Sequence, residues 1–157
     1  MRIGLLGLGT VTASVLSAAA QETVRITVPS AVSFAVTDVS RSTTGVPSTA
    51  RISFSDAILI PGRALRVSLK ADAAAFTPPS GSSIPASNVS WTTAGANGGT
   101  GSNGTLSTSS YVLVFQSAPV TLSGYVDLGW TLAAPGSGIR AGSHQLTIRW
   151  KVESITP

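Results

Sequence analysis

The chain has no cysteine, one histidine, only six acidic side chains, and no segment with the 3.6-residue apolar period of an amphipathic helix. Each absence closes off a class of protein. Without cysteine there is neither a disulfide frame nor a thiolate metal site. His144 and the acids Glu22, Asp38, Asp56, Asp72, Asp127 and Glu153 are the remaining metal ligands of choice, and no two of them stand at a motif spacing, so no metal or other cofactor is expected. Charged residues make up 10% of the sequence, and none lies between Ala73 and Val126. The basic residues Arg25, Arg41, Arg51, Arg63, Arg66, Lys70, Arg140, Arg149 and Lys151 are spread along the chain with no cluster beside aromatics, so no nucleic-acid partner is expected.

What is present begins with a leader. Arg2 is followed by the apolar stretch Ile3 to Leu16, with few side chains that are not Leu, Val, Ile, Gly or small, and then by Ala18-Ala19-Ala20. A positive start, an apolar middle and an Ala-x-Ala site are the parts of a secretory signal peptide. The expectation is cleavage after Ala20, a mature domain over residues 21–157, and a secreted, cell-surface or periplasmic location. No later stretch is long and apolar enough to span a bilayer, so no membrane span is expected after cleavage.

The mature part is organised around its closing stretch. From His144 to Val152 the even positions read His, Leu, Ile, Trp, Val and the odd ones Gln, Thr, Arg, Lys. That period of two is a half-buried β-strand, which needs a sheet beside it and a second layer over its apolar face. Similar alternation recurs at Val24-Ile26-Val28, at Val32-Phe34-Val36 after Pro29, in Arg51 to Ser55, at Leu65-Val67-Leu69, around Val89-Trp91, through the apolar run Tyr111 to Phe115, and at Val126-Leu128-Trp130-Leu132. The first two are either two strands broken at the proline or one kinked strand. Ala71 to Phe76 has room for one helical turn before Pro78-Pro79, and the glycine- and asparagine-rich Ala94 to Thr105 reads as a flexible loop. The fold class is therefore all-β, an antiparallel immunoglobulin-like β-sandwich of about seven to nine strands in a single domain.

Candidate chemistry is sparse. A triad would need His144 to meet a serine and an acid, and no nucleophile-elbow motif is present, so the histidine is expected at the rim of the core, bonded to backbone or water. Asp127 is the best strand-borne carboxylate and is expected on the polar face of its strand. Gly99-Thr100-Gly101-Ser102-Asn103-Gly104 matches G-x-G-x-x-G, and Gly136 to Ala141 matches its alanine variant, but no helix follows either to hold a pyrophosphate. Asn88-Val89-Ser90 and Asn103-Gly104-Thr105 fit the N-glycosylation acceptor. Trp130 and Trp150 fall on the apolar faces of their strands, while Trp91, beside uncharged Gly, Ser and Asn residues, is the aromatic that could stack on a sugar.

The closing segment Ala141-Gly142-Ser143-His144-Gln145-Leu146-Thr147-Ile148-Arg149-Trp150, after Trp130-Thr131-Leu132, resembles the C-terminal strands of bacterial WxL-type cell-surface domains. Where such a domain has a second Trp-x-Leu, this chain has Trp150-Lys151-Val152. The Ala-Gly turn and the alternating strand after the signal peptide also resemble cysteine-free fimbrial subunits. That resemblance implies polymerisation by donation of the segment Thr23 to Val36 to a neighbour's sheet edge, with Val24, Ile26, Val28, Val32, Phe34 and Val36 as pocket-filling side chains. The function expected is a non-catalytic surface or extracellular structural protein, fimbria-like, with copies of itself or other surface proteins as partners. A carbohydrate-binding module using Trp91 on a polysaccharide is the alternative, and a hydrolase comes third.

Overall fold

The computed structural model describes the backbone of residues 2–7, 11–15 and 22–157, and side chains over residues 22–157. Thirteen strands run in chain order: β1 (Arg2–Gly7), β2 (Val11–Val15), β3 (Glu22–Thr27), β4 (Ala31–Ala35), β5 (Thr43–Thr44), β6 (Ala50–Ile58), β7 (Ala64–Ala71), β8 (Val89–Asn97), β9 (Gly99–Gly101), β10 (Gly104–Thr105), β11 (Val112–Ser117), β12 (Gly124–Leu132) and β13 (Ser143–Ile155). They form two packed sheets, an all-β sandwich. The first sheet has the order β4-β1-β13-β7-β11-β9, and the second β10-β8-β12-β6-β3-β2, with β5 also paired to β12. Pairing is antiparallel except between β1 and β13, which run parallel.

The closing alternation is realised as β13, the longest strand, with His144, Leu146 and Ile148 buried. Its second half pairs with β7 from Ile148 opposite Ala71 to Ile155 opposite Ala64. Phe54 of β6 and Phe115 of β11 meet across the sandwich with ring centroids 5.7 Å apart, a tilted contact that ties the two sheets together. The chain around Pro29 is two strands rather than one. β3 pairs with β6 in the second sheet, while β4 crosses to the edge of the first. Proline has no amide hydrogen and cannot continue a ladder, so it suits the point where the chain changes sheets.

Two expectations are corrected. Ala71 to Phe76 forms no helical turn, because its amides are taken by other segments: Ala71 N–H by Ser107 O at 2.9 Å, Asp72 N–H by Thr147 O at 2.9 Å and Phe76 N–H by Ile84 O at 2.8 Å. Ala94 to Thr105 is strand through most of its length, contributing the end of β8, then β9 and β10. Its glycines serve close packing. A Cβ on Gly101 would lie 2.6 Å from both Thr93 Oγ1 and Thr93 Cγ2, and one on Gly104 would lie 2.8 Å from Trp91 Cη2. The G-x-G-x-x-G match thus spans two short strands, β9 and β10, one in each sheet, with Gly101 packed on Thr93 and Gly104 on Trp91. Gly104→Ala should destabilise the domain by about 1–3 kcal/mol, as overpacking does, read from the denaturant midpoint.

Candidate functional site, a strand slot beside the closing strand

β1 lies between β4 and β13. Arg2 to Leu6 stand opposite Ala35 to Ala31 on one side, and Arg2 to Gly7 opposite Ser143 to Ile148 on the other. Position 3 is level with Phe34 and His144, and position 5 with Val32 and Leu146; these four neighbours are all buried. Any strand in this place must therefore bring apolar residues at alternate positions. β4 is joined to the first sheet through β1; among the described residues its other backbone pairing is a two-bond bridge, Ser33 N–H to Val46 O at 3.0 Å and Val46 N–H to Ser33 O at 2.7 Å. Taking β1 out would leave β4 and β13 about 10 Å apart, two inter-strand spacings, with facing backbone groups unpaired.

The residues named as strand donor are packed within their own domain. Ile26, Val28, Val32, Phe34 and Val36 are buried and Val24 is partly buried against the same core. β3 is hydrogen-bonded to β6, and β2 (residues 11–15) covers its other edge. Donation to a neighbour must then be an exchange in which a copy's segment replaces another's. Val32 and Phe34 double as one wall of the slot.

Glu22 fixes where this segment starts. Its carboxylate is 5% exposed and accepts from Ile60 N–H at 2.8 Å, Ser154 O–H at 2.9 Å and Arg63 Nη1 at 3.3 Å. These three donors come from the β6–β7 turn and the end of β13, so one side chain ties three elements.

His144 is fully buried, with Nε2 3.0 Å from Arg140 O, and its other nitrogen makes no hydrogen bond among the described residues. It lies in the core beside the slot, deeper than the rim position expected. Trp91 is 1% exposed, its ring 5.5 Å from that of Trp130, and its indole N–H donates to Ser102 O at 2.8 Å. It presents no face on which a sugar could stack. The neighbouring polar sequence concealed this, because the glycines that flank it are what cover it.

Every acid in the chain pairs with a cation: Glu22 with Arg63, Asp38 with Arg41, Asp56 with Arg25, Asp72 with Arg149, Asp127 with Arg51 and Glu153 with Lys151. Asp127 is on the polar face as expected, held by Arg51 through two bonds of 2.8 and 2.7 Å, and Arg51 also lies 3.8 Å over the Tyr125 ring. The Arg51 guanidinium lowers the Asp127 carboxyl below its ordinary value, and Arg149 does the same for Asp72. A carboxyl with a lowered folded pKa adds stability above its unfolded pKa and loses it as pH falls through the folded value. The unfolding midpoint should therefore be flat at neutral pH and fall below about pH 4, with Asp127→Asn showing a shallower fall. Urea titrations between neutral and acid pH check this.

The chain matches no protein-family model, and no curated protein is significantly similar to it. The architecture and the slot are the features from which a function can be argued.

Proposed function

We propose that the protein is a secreted, non-catalytic structural subunit of the cell surface, fimbria-like, that assembles by β-strand addition. The observation that carries this is the place of residues 2–7. They have the sequence character of a removable leader, yet they stand as β1 inside the first sheet, between β4 and β13. If the leader is cleaved after Ala20, the mature domain has a slot one strand wide, floored by core side chains such as Phe34 and Leu146. An open slot of this kind exposes two ladders of unpaired backbone groups and apolar surface, and both are satisfied by one extended, alternating strand from another chain. The chain's own segment Thr23 to Val36 has that alternation, and its β3 part, which is not a wall of the slot, is the donor to a neighbouring copy.

Low charge suits the role, because identical neighbours approach with little repulsion. Trp91 is buried, so its ring is not available as a sugar platform. The test is amide hydrogen exchange on the chain 21–157. The slot-facing amides of Ala31–Ala35 and Ser143–Ile148, which do not include Ser33 and Gln145 with their partners Val46 O and Thr77 O, should exchange quickly, and become protected when a peptide of residues 2–7 is added. Full protection without peptide in a monomer would contradict the proposal.

A further inference from the structure

We infer that the outer face of the first sheet is a binding surface for a carboxylated polysaccharide, with Tyr111 as the ring platform and Lys70 and Lys151 as its cations. The charges converge there although they are scattered in sequence. With all six acids paired, the cations among the described residues that have no carboxylate partner are Arg66, Lys70 and Arg140. Two of these three, Arg66 and Lys70, are on the outward row of β7. Register sets Lys70 opposite Arg149 and Ser68 opposite Lys151, which adds two cations from β13 to the same face.

Just before the start of β11, Tyr111 is 38% exposed, with Lys70 Nζ 5.2 Å and Lys151 Nζ 5.6 Å from its ring centroid. Two ammonium groups within about 6 Å of one aromatic ring suit a sugar carrying a carboxylate. The apolar C–H face of the sugar lies on the ring while the carboxylate meets the ammonium groups.

The outward row of β13 continues the surface. Thr147 and Gln145, on the same side as Arg149 and Lys151, border an open cleft of about 320 Å³ closed by Thr77 and Pro78. From Gln145 to Glu153 the row runs about 27 Å at the rise of a strand, long enough for several sugars. The cleft's hydroxyl and amide groups match sugar hydroxyls. Asp72 and Glu153, set among the cations, weigh against a nucleic acid, whose duplex presents a charge about every 1.7 Å. A sparser polyanion that also offers hydroxyl donors to those two carboxylates is the better complement. Tyr111, Lys70 and Lys151 are away from the slot, while Gln145 and Thr147 share β13 with its wall, so binding is measured on the full chain with β1 in place.

The test titrates the full chain with polygalacturonate, neutral dextran and duplex DNA at 0.15 M salt by interferometry. Saturable binding to polygalacturonate and none to dextran is expected. Reversing both lysines, Lys70→Glu with Lys151→Glu, should weaken it at least about tenfold, as loss of two charge-assisted contacts would. Tyr111→Ala should weaken it about fivefold while leaving the unfolding midpoint nearly unchanged, since this ring is outside the core. The control Arg25→Glu with Arg41→Glu makes the same charge change at exposed sites elsewhere and should alter binding less than about twofold. No binding to polygalacturonate overturns the inference, as does an equal loss in the control. Tighter binding to DNA than to polygalacturonate, unaffected by Tyr111→Ala, would also overturn it and assign the face to nucleic acid.

Discussion

Trp130→Ala is expected to lower stability by about 3–5 kcal/mol, the range for truncating a fully buried aromatic. Trp130 is 1% exposed near the end of β12, directly opposite Trp91 of β8, and the two rings make a tilted pair at 5.5 Å and 48°. Cross-strand aromatic pairs add to the burial of each ring, so a single truncation removes both the transfer term and the pair. The two indoles differ in one respect that a gentler substitution exposes. Trp91 donates to Ser102 O, whereas the Trp130 N–H makes no hydrogen bond among the described residues. Trp91→Phe leaves a carbonyl without its donor, while Trp130→Phe removes a buried N–H that has no partner. Trp130→Phe should then cost less than Trp91→Phe, and denaturant midpoints of the three variants check both parts. A cost below about 1 kcal/mol for Trp130→Ala would place the pair outside the core.

Glu22→Ala comes second, with an expected loss of about 2–3 kcal/mol from leaving a backbone N–H, a hydroxyl and a guanidinium without their shared acceptor. All three donors are part-buried, and the Arg63 side chain, 32% exposed, can turn to water, which keeps the loss near the low end. Glu22→Gln keeps the shape and one acceptor oxygen, and should lose about half as much. Because Glu22 begins β3, its loss should also loosen the strand from β6. Limited proteolysis near residue 22 would rise in the variant while cleavage elsewhere stayed constant. If the segment Thr23 to Val36 exchanges between copies, Glu22→Ala should speed that exchange.

Most of the architecture was legible in the sequence where alternation is long. His144 to Val152, Leu65 to Leu69 and Val126 to Leu132 each have three or more apolar residues at a period of two, and each is a strand with those residues inward. Short or glycine-rich pieces were not legible. β9 and β10 have two or three residues each and no apolar alternation, since what fixes them is the absence of a Cβ above Trp91 and Thr93. Trp91 appeared exposable because its covering atoms belong to Gly104 and Ser102, residues that look like loop when read alone.

The slot was half legible. Alternation marked Val32 and Phe34 as strand residues, but nothing local says that β4 and β13 are separated by one strand position. That is a long-range pairing between residues 2–7, 31–35 and 143–148. The basic face is not legible in the sequence for the same reason. Arg66 and Lys70 lie about 80 residues from Arg149 and Lys151 and become neighbours only through the β7–β13 register.

The measurement that bears most directly on strand addition is sedimentation of the chain 21–157 over a range of concentrations, beside the chain 1–157. The chain 1–157, with β1 in place, should stay monomeric, 21–157 should form assemblies that grow with concentration, and excess peptide of residues 2–7 should return it to monomer. A 21–157 chain that is monomeric at every concentration, and unfolds at the same denaturant midpoint as 1–157, would contradict strand addition.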